Sequence, residues 1–186
     1  MFLGQYVHSF DEKSRLTIPA KYRELLSEGA FVVQGLDRNL MVLTPPAFEI
    51  IYQRIMALNL TDPTARLLRR IILGNASQLE VDKSGRILLP QNLREFAGLK
   101  TDAVLVGQGD YFEIWTPELW KGQVTQVQDA EANAQRFATL DLKTLDECKE
   151  IIEKIGDGFF EAYEQLKKGP MTRPVEKPAE TIQTMV

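Results

Sequence analysis

The chain has 186 residues, 44% hydrophobic and 26% charged, with a formal net charge of −4, the composition of an ordinary globular protein with enough chain for one well-filled core or two small ones. A single cysteine, Cys148, and a single histidine, His8, exclude an intramolecular disulfide, a thiolate cluster, a His-based metal site and a His-dependent catalytic triad. No apolar run approaches bilayer length and no basic region precedes a continuous apolar segment at the N-terminus, so a cytoplasmic protein without membrane contact is expected.

Gln5 to Phe10 alternates, with Tyr6, His8 and Phe10 on one face, and predicts a half-buried strand. Asp11 to Ser14 suits a tight turn, and Arg15 to Ile18 resumes as a strand, which together predict a hairpin. Pro19 fits the first position of a helix running through Tyr22 and Leu26 to a stop at Gly29. Phe31–Val33 and Leu40–Leu43 predict a further strand pair around the turn Leu36 to Asn39. Thr44-Pro45-Pro46 is an N-cap with prolines behind it, and Phe48, Ile51, Tyr52, Ile55 and Leu58 keep helical spacing. Asp62-Pro63 starts another helix, with Leu67, Leu68, Ile71 and Ile72 expected to face inward and Arg66, Arg69 and Arg70 to share another side. Those arginines read as a solvated face, with a subunit or nucleic-acid contact as the alternative.

The second part of the chain repeats the first. Asp11-Glu12-Lys13-Ser14-Arg15-Leu16-Thr17-Ile18-Pro19 returns 71 residues later as Asp82-Lys83-Ser84-Gly85-Arg86-Ile87-Leu88-Leu89-Pro90, and Arg23-Glu24 returns as Arg94-Glu95. After one inserted residue, Leu40 to Pro45 and Phe48 fall on Phe112 to Pro117 and Trp120. The second copy therefore predicts strands at Ser77–Val81, Arg86–Leu89, Ala103–Gly107 and Tyr111–Trp115, with helices from Pro90 and Pro117. The fold class is α+β: tandem β-β-α-β-β-α repeats closing as one pseudo-symmetric β-barrel, because four short strands per half cannot bury their faces alone. A C-terminal helical tail follows. The expected division is a first half at 1–56, a helical connector at 57–75, a second half at 76–128, a helical extension at 129–168 and a disordered tail at 169–186. Residues 1–128 carry fourteen cations and fourteen anions, so the net negative charge belongs to the tail. Cys148, Ile152, Ile155, Phe159, Ala162 and Leu166 form an apolar stripe there, and Pro170, Pro174 and Pro178 punctuate the end.

In each copy an aspartate stands four residues before an arginine across a tight turn, so the carboxylate can hold the guanidinium in a fixed orientation. An arginine held this way keeps donors for a phosphate or for the O6/N7 edge of guanine. Lys13 and Lys83 lie in the same turns, and Asp11 to Arg23 and Asp82 to Arg94 each carry a net charge of +2. The plainer reading is that each Asp-Arg pair stabilises its turn. Gly107-Gln108-Gly109 lacks the lysine and hydroxyl residue of a P-loop, and no nucleophile with its base can be assembled, so neither an enzyme nor a cofactor is expected.

Met1-Phe2-Leu3-Gly4, the two Asp-x-x-x-Arg motifs, Gln91 to Leu99, and Val106-Gly107 with Glu113-Ile114-Trp115 closely resemble the MraZ family of bacterial regulators, which is related to the AbrB and MazE DNA-binding domains. The resemblance covers about residues 1–128, makes each half AbrB-like and implies that the barrel is a double-split β-barrel. It implies a cytoplasmic, nucleoid-associated protein that forms a ring-shaped homo-oligomer. Such a ring binds short direct repeats of promoter DNA upstream of the division and cell-wall gene cluster and usually represses it. By motif match the DNA-binding residues are Lys13, Arg15, Lys83 and Arg86, with Asp11 and Asp82 orienting the arginines; no metal or small-molecule substrate is implied. Ser14 in place of Gly85 suggests a different turn geometry in the first copy. An antitoxin-like protein with a toxin partner and an oligomeric protein scaffold are the alternatives.

Overall fold

Short strands and helices alternate in the computed structural model, which describes residues 1–138 and Leu140. The first half runs β1 (Gln5–Ser9), β2 (Arg15–Thr17), α1 (Ala20–Arg23) with a 3-10 turn at Glu24–Leu26, β3 (Ala30–Gln34), β4 (Leu40–Leu43) and α2 (Pro45–Met56). After α3 (Pro63–Ile72) come β5 (Ser77–Leu79), β6 (Arg86–Leu88), α4 (Gln91–Ala97), β7 (Asp102–Gly107), β8 (Tyr111–Trp115) and α5 (Pro117–Gln128), followed by α6 (Ala130–Phe137). Helix starts follow their capping residues. Thr44 and Thr116 accept from the backbone N–H of Ala47 and Leu119, and the Asp62 carboxylate accepts from Thr64 N–H at 2.8 Å.

The strands form a six-stranded antiparallel sheet in the order β1-β7-β8-β4-β3-β5 and a two-stranded antiparallel ribbon of β2 and β6. Replacing each strand by its repeat equivalent reverses the sheet order onto itself. The pseudo-two-fold axis passes between Met41 and Glu113 in the sheet and between Leu16 and Ile87 in the ribbon, both of which are cross-strand pairs of repeat-equivalent residues. Duplication in the sequence has become symmetry in space.

The expected β1–β2 hairpin is corrected by this topology. Only the Phe10–Leu16 bridge joins its arms beyond the turn. β1 pairs along its length with β7, and β2 with β6, so each half completes the other. The physical reason is burial: a hairpin of three- to five-residue strands covers too little apolar surface by itself. Exchange places Leu16, Ile18, Ile87 and Leu89 from the ribbon segments over Val32, Leu40, Val42, Leu105, Phe112 and Ile114, all essentially inaccessible to solvent. Phe2 and Tyr22 meet edge to face at 5.0 Å inside this core. Gly107 admits the N-terminal segment, since a Cβ there would lie 2.5 Å from the Phe2 carbonyl carbon.

On the other side of the sheet, Val33, Leu43, Ile55 and Ile72 form a second cluster, with Phe48 stacked on Phe31 at 4.2 Å. The inward stripe of α3 differs from expectation: Ala65 and Ile72 are buried with Leu68 half-buried between them, whereas Leu67 is 54% exposed. Arg66 and Arg69 are not a bare solvated face. Arg66 donates to the carbonyls of Leu60 and Thr61, and Arg69 to those of Met56 and Leu58, satisfying the carbonyls where α2 ends and the connector turns. Val104, Val106 and Trp115 form a third, smaller cluster against Trp120 of α5.

The chain divides into two units, Met1–Asn133 and Ala134–Val186. The second is described only through the end of α6 and Leu140, whose N–H donates to the Phe137 carbonyl at 2.9 Å. The apolar stripe from Cys148 and the proline-rich segment from 169 lie outside the described residues. Among the described residues no helix is long and apolar enough to cross a membrane.

Leu16 sits on the pseudo-symmetry axis with no exposed surface. Leu16→Ala is expected to lower unfolding free energy by about 3 kcal/mol in chemical denaturation. A loss under about 1 kcal/mol would show that the ribbon does not close the core.

Candidate nucleic-acid interface

Each Asp-x-x-x-Arg motif builds the same turn. In the first, Asp11 N–H donates to the Arg15 carbonyl, Ser14 N–H donates to the Asp11 carbonyl, and Oδ1 of Asp11 accepts from the N–H groups of Lys13 and Arg15, both at 2.9 Å. In the second, Asp82 and Gly85 repeat the backbone pattern, and Oδ1 of Asp82 accepts from Ser84 N–H at 2.8 Å and Arg86 N–H at 3.0 Å. The fourth residue is left-handed in both, with φ of 60° at Ser14 and 74° at Gly85. The altered geometry expected from Ser14 is therefore not present.

With Oδ1 of each aspartate engaged by backbone, Oδ2 holds the arginine. Oδ2 of Asp11 accepts from Nε of Arg15 at 2.8 Å and lies 2.7 Å from Nη2; Oδ2 of Asp82 lies 3.0 Å from Nε and 2.9 Å from Nη2 of Arg86. In both pairs Nε and Nη2 converge on the single oxygen Oδ2, and two charge-assisted contacts from one guanidinium fix its orientation. The two turns also meet across the axis. Nη1 of Arg86 lies 3.1 Å from Oδ2 of Asp11, and Nη1 of Arg15 lies 3.6 Å from Oδ2 of Asp82. Two cations and two anions thus form one closed, internally neutral network joining the halves.

Side-chain exposure is 29% for Arg15 and 25% for Arg86, so both arginines are partly exposed. Bonds from Arg15, chiefly the side-chain donor, hold the Asp11 carboxyl down to about 2. Asp82 is lowered in the same way, first by the Arg86 side chain. Because the network cancels itself, the positive charge within segments 11–23 and 82–94 rests on Lys13, Lys21, Arg23, Lys83 and Arg94 against Glu12, with Glu28 and Glu80 beside Arg23 and Lys83. Lys13 and Lys83 are exposed at the turns but not repeat-equivalent, since Lys13 follows Asp11 by two residues and Lys83 follows Asp82 by one. His8, half-buried on β1, has its pKa lowered by burial and by the nearby Arg23 charge.

The structure brings all six expected residues, Asp11, Lys13, Arg15, Asp82, Lys83 and Arg86, onto two adjacent turns. The cross-axis pairing of Asp11 with Arg86 was not foreseen from the sequence. Its signal was nonetheless there: strands that pair about a two-fold axis bring repeat-equivalent turns together.

A duplicated strand-turn-strand module, closed about a pseudo-two-fold axis with two carboxylate-held arginines at its centre, defines the class of this protein. The family model described as "MraZ protein, putative antitoxin-like" matches twice in tandem, at residues 1–71 and 72–142, with its boundary at the 71-residue repeat. Similar proteins include the transcriptional regulator MraZ of Herpetosiphon aurantiacus, 47% identical over 121 residues covering 65% of this chain and 85% of the relative. That of Thermomicrobium roseum is 40% identical over 141 residues, covering 75% of this chain and 99% of the relative. That of Leuconostoc citreum is 37% identical over 129 residues, covering 69% and 90%. The chain belongs to the MraZ family.

Folding lowers the proton affinity of both aspartates, so their contribution is complete above the ordinary carboxylate value of 3.8 and is lost as pH falls below it, through about 2 for Asp11. Denaturant titrations across that interval should show stability falling in the native chain and a flatter profile in Asp11→Asn/Asp82→Asn. Parallel profiles would remove the network from the acid response.

Proposed function

We propose that this chain is a sequence-specific DNA-binding transcriptional regulator. In this reading it represses a division and cell-wall gene cluster by binding short direct repeats upstream of it as a ring-shaped homo-oligomer. It acts in the cytoplasm, associated with the nucleoid. The observation that carries the reading is the juxtaposition of the two turns: Arg86 of one reaches Asp11 of the other at 3.1 Å, so their exposed lysines are offered by one composite surface. Family membership and the naming of its relatives as transcriptional regulators support it. We read the sheet and ribbon, which share one core, as the two parts of a double-split barrel.

Lys13 and Lys83 bind phosphates as mobile point charges, while Arg15 and Arg86, oriented by Asp11 and Asp82, address base edges or phosphates. Arg15 has the freer terminal nitrogen, since its Nη1 lies 3.6 Å from Asp82, beyond a good charge-assisted hydrogen bond. One subunit offers a modest patch, and linking several in a ring lets neighbours engage successive repeats without new contacts. Self-association is supported by an apolar groove of about 540 Å³ lined by Met1, Leu25, Pro46, Ile50 and Tyr111, with Ile50 55% exposed.

The test is footprinting and mobility shift on the DNA upstream of the protein's own coding region. Protected direct repeats are expected, with affinity falling steeply as salt rises. Lys13→Ala/Lys83→Ala should weaken all duplexes and reduce the salt slope by about 2, whereas Arg15→Ala should weaken the repeats most. Absence of a shift at low salt, or normal binding by folded, oligomeric Arg15→Ala, would contradict the reading. The antitoxin-like wording of the family description favours one further arm: copurification of a small basic partner protein would mark an antitoxin.

A further inference from the structure

Gly85 occupies a left-handed backbone position, but that conformation alone does not select glycine, because its repeat equivalent Ser14 adopts φ of 60° against 74° at Gly85. Space selects it. A Cβ on Gly85 would overlap Cζ and Nε of Arg23. Arg23 belongs to the other half, at the end of α1, and is fastened in place. Its Nε donates to the Ile18 carbonyl at 2.9 Å, and Ile18 N–H in turn donates to the Gly85 carbonyl at 2.8 Å. The guanidinium therefore lies on the bare face of the second turn. Arg23 is exposed and borders a recess with Lys83 and Gly85; Glu28, Glu80 and Asp82 line that recess too, but none of them forms an ion pair with Arg23.

The first half is built differently. Arg94 is the repeat equivalent of Arg23, yet its Nε is buried without a hydrogen-bond partner, and Ser14 carries a side chain where Gly85 has none. The turn lysines are offset by one residue as well. Each difference bears on which cations stand where along a nucleic-acid backbone.

We propose that Arg23 is a phosphate-binding and positioning residue of the second turn: seated on Gly85, it supplies from the first half a cation that this turn presents beside Lys83. The two turns of one subunit consequently engage DNA unequally. This inference rests on the DNA-binding reading above. An exposed arginine anchored through Nε, with Nη1 lying against Gly85, keeps donors for a phosphate, which accepts paired donors and carries no sequence information.

The experiment measures salt-dependent binding of the full chain to its own upstream DNA and to an unrelated duplex. Arg23→Ala should weaken both and lower the slope of log affinity against log salt by about one, while Arg23→Lys, which keeps the charge, should hold the slope. Gly85→Ser should cost about tenfold in affinity in the native background and nothing further in Arg23→Ala. Thermal unfolding and oligomer size establish that each variant compared is folded, and the Arg23→Lys arm serves if Arg23→Ala is not. Equal losses from Gly85→Ser in both backgrounds would assign the glycine to turn strain and overturn the inference. So would an unchanged slope in Arg23→Ala, or a slope in Arg23→Lys as low as that of alanine. If the native chain binds no DNA, the regulator reading falls and this inference with it; native binding with an unaffected Arg23→Ala overturns this inference alone.

Discussion

Two carboxylates shared between two guanidiniums hold the halves of this protein in register at their charged end. Isolated surface ion pairs stabilise little, because each side chain must be ordered for a modest gain in high dielectric. Here much of that ordering is already done. Oδ1 of each aspartate is fixed by two backbone N–H groups of its own turn, so Oδ2 points at the arginines without further restriction. The result is a rigid crosslink whose members are separated by 71 residues in sequence and related by the pseudo-two-fold axis.

The rest of the architecture follows from that axis. Exchange of β1 and β2 onto partners of the other half closes one core in place of two, and Leu16 and Ile87 pair at its centre. Because the charge network is neutral within itself, it does not give the surface its sign. The exposed lysines and Arg23 do, placed around a centre whose geometry they do not have to maintain. In the DNA-binding reading proposed above, that separation of labour lets orientation and affinity be altered independently.

Much of this was legible in the sequence because it was local and written twice. The Asp-x-x-x-Arg turns, the caps at Thr44, Asp62 and Thr116, and the strand and helix order all rest on residue types within a few positions of one another. Partner choice was not legible. Leu16 and Ile18 alternate equally well for a local hairpin or a distant partner, and the outcome is decided by burial of the whole ribbon. Arg66 and Arg69 showed helical spacing, but not that the chain would turn back and offer them carbonyls. Ser14 looked like a change of turn until its φ proved left-handed, and nothing local to Gly85 showed that the Arg23 side chain from the other half would pack against it.

The crosslink is tested most directly by a double-mutant cycle on Asp11 and Arg86, which belong to different halves and stand 3.1 Å apart. Stability of Asp11→Asn, Arg86→Gln and the double variant would be measured near neutral pH and low salt by denaturant unfolding. A shared network requires the double variant to lose clearly less than the two single losses together. Additive losses would mean that the halves are held by the apolar core alone and that the two turns meet without coupling.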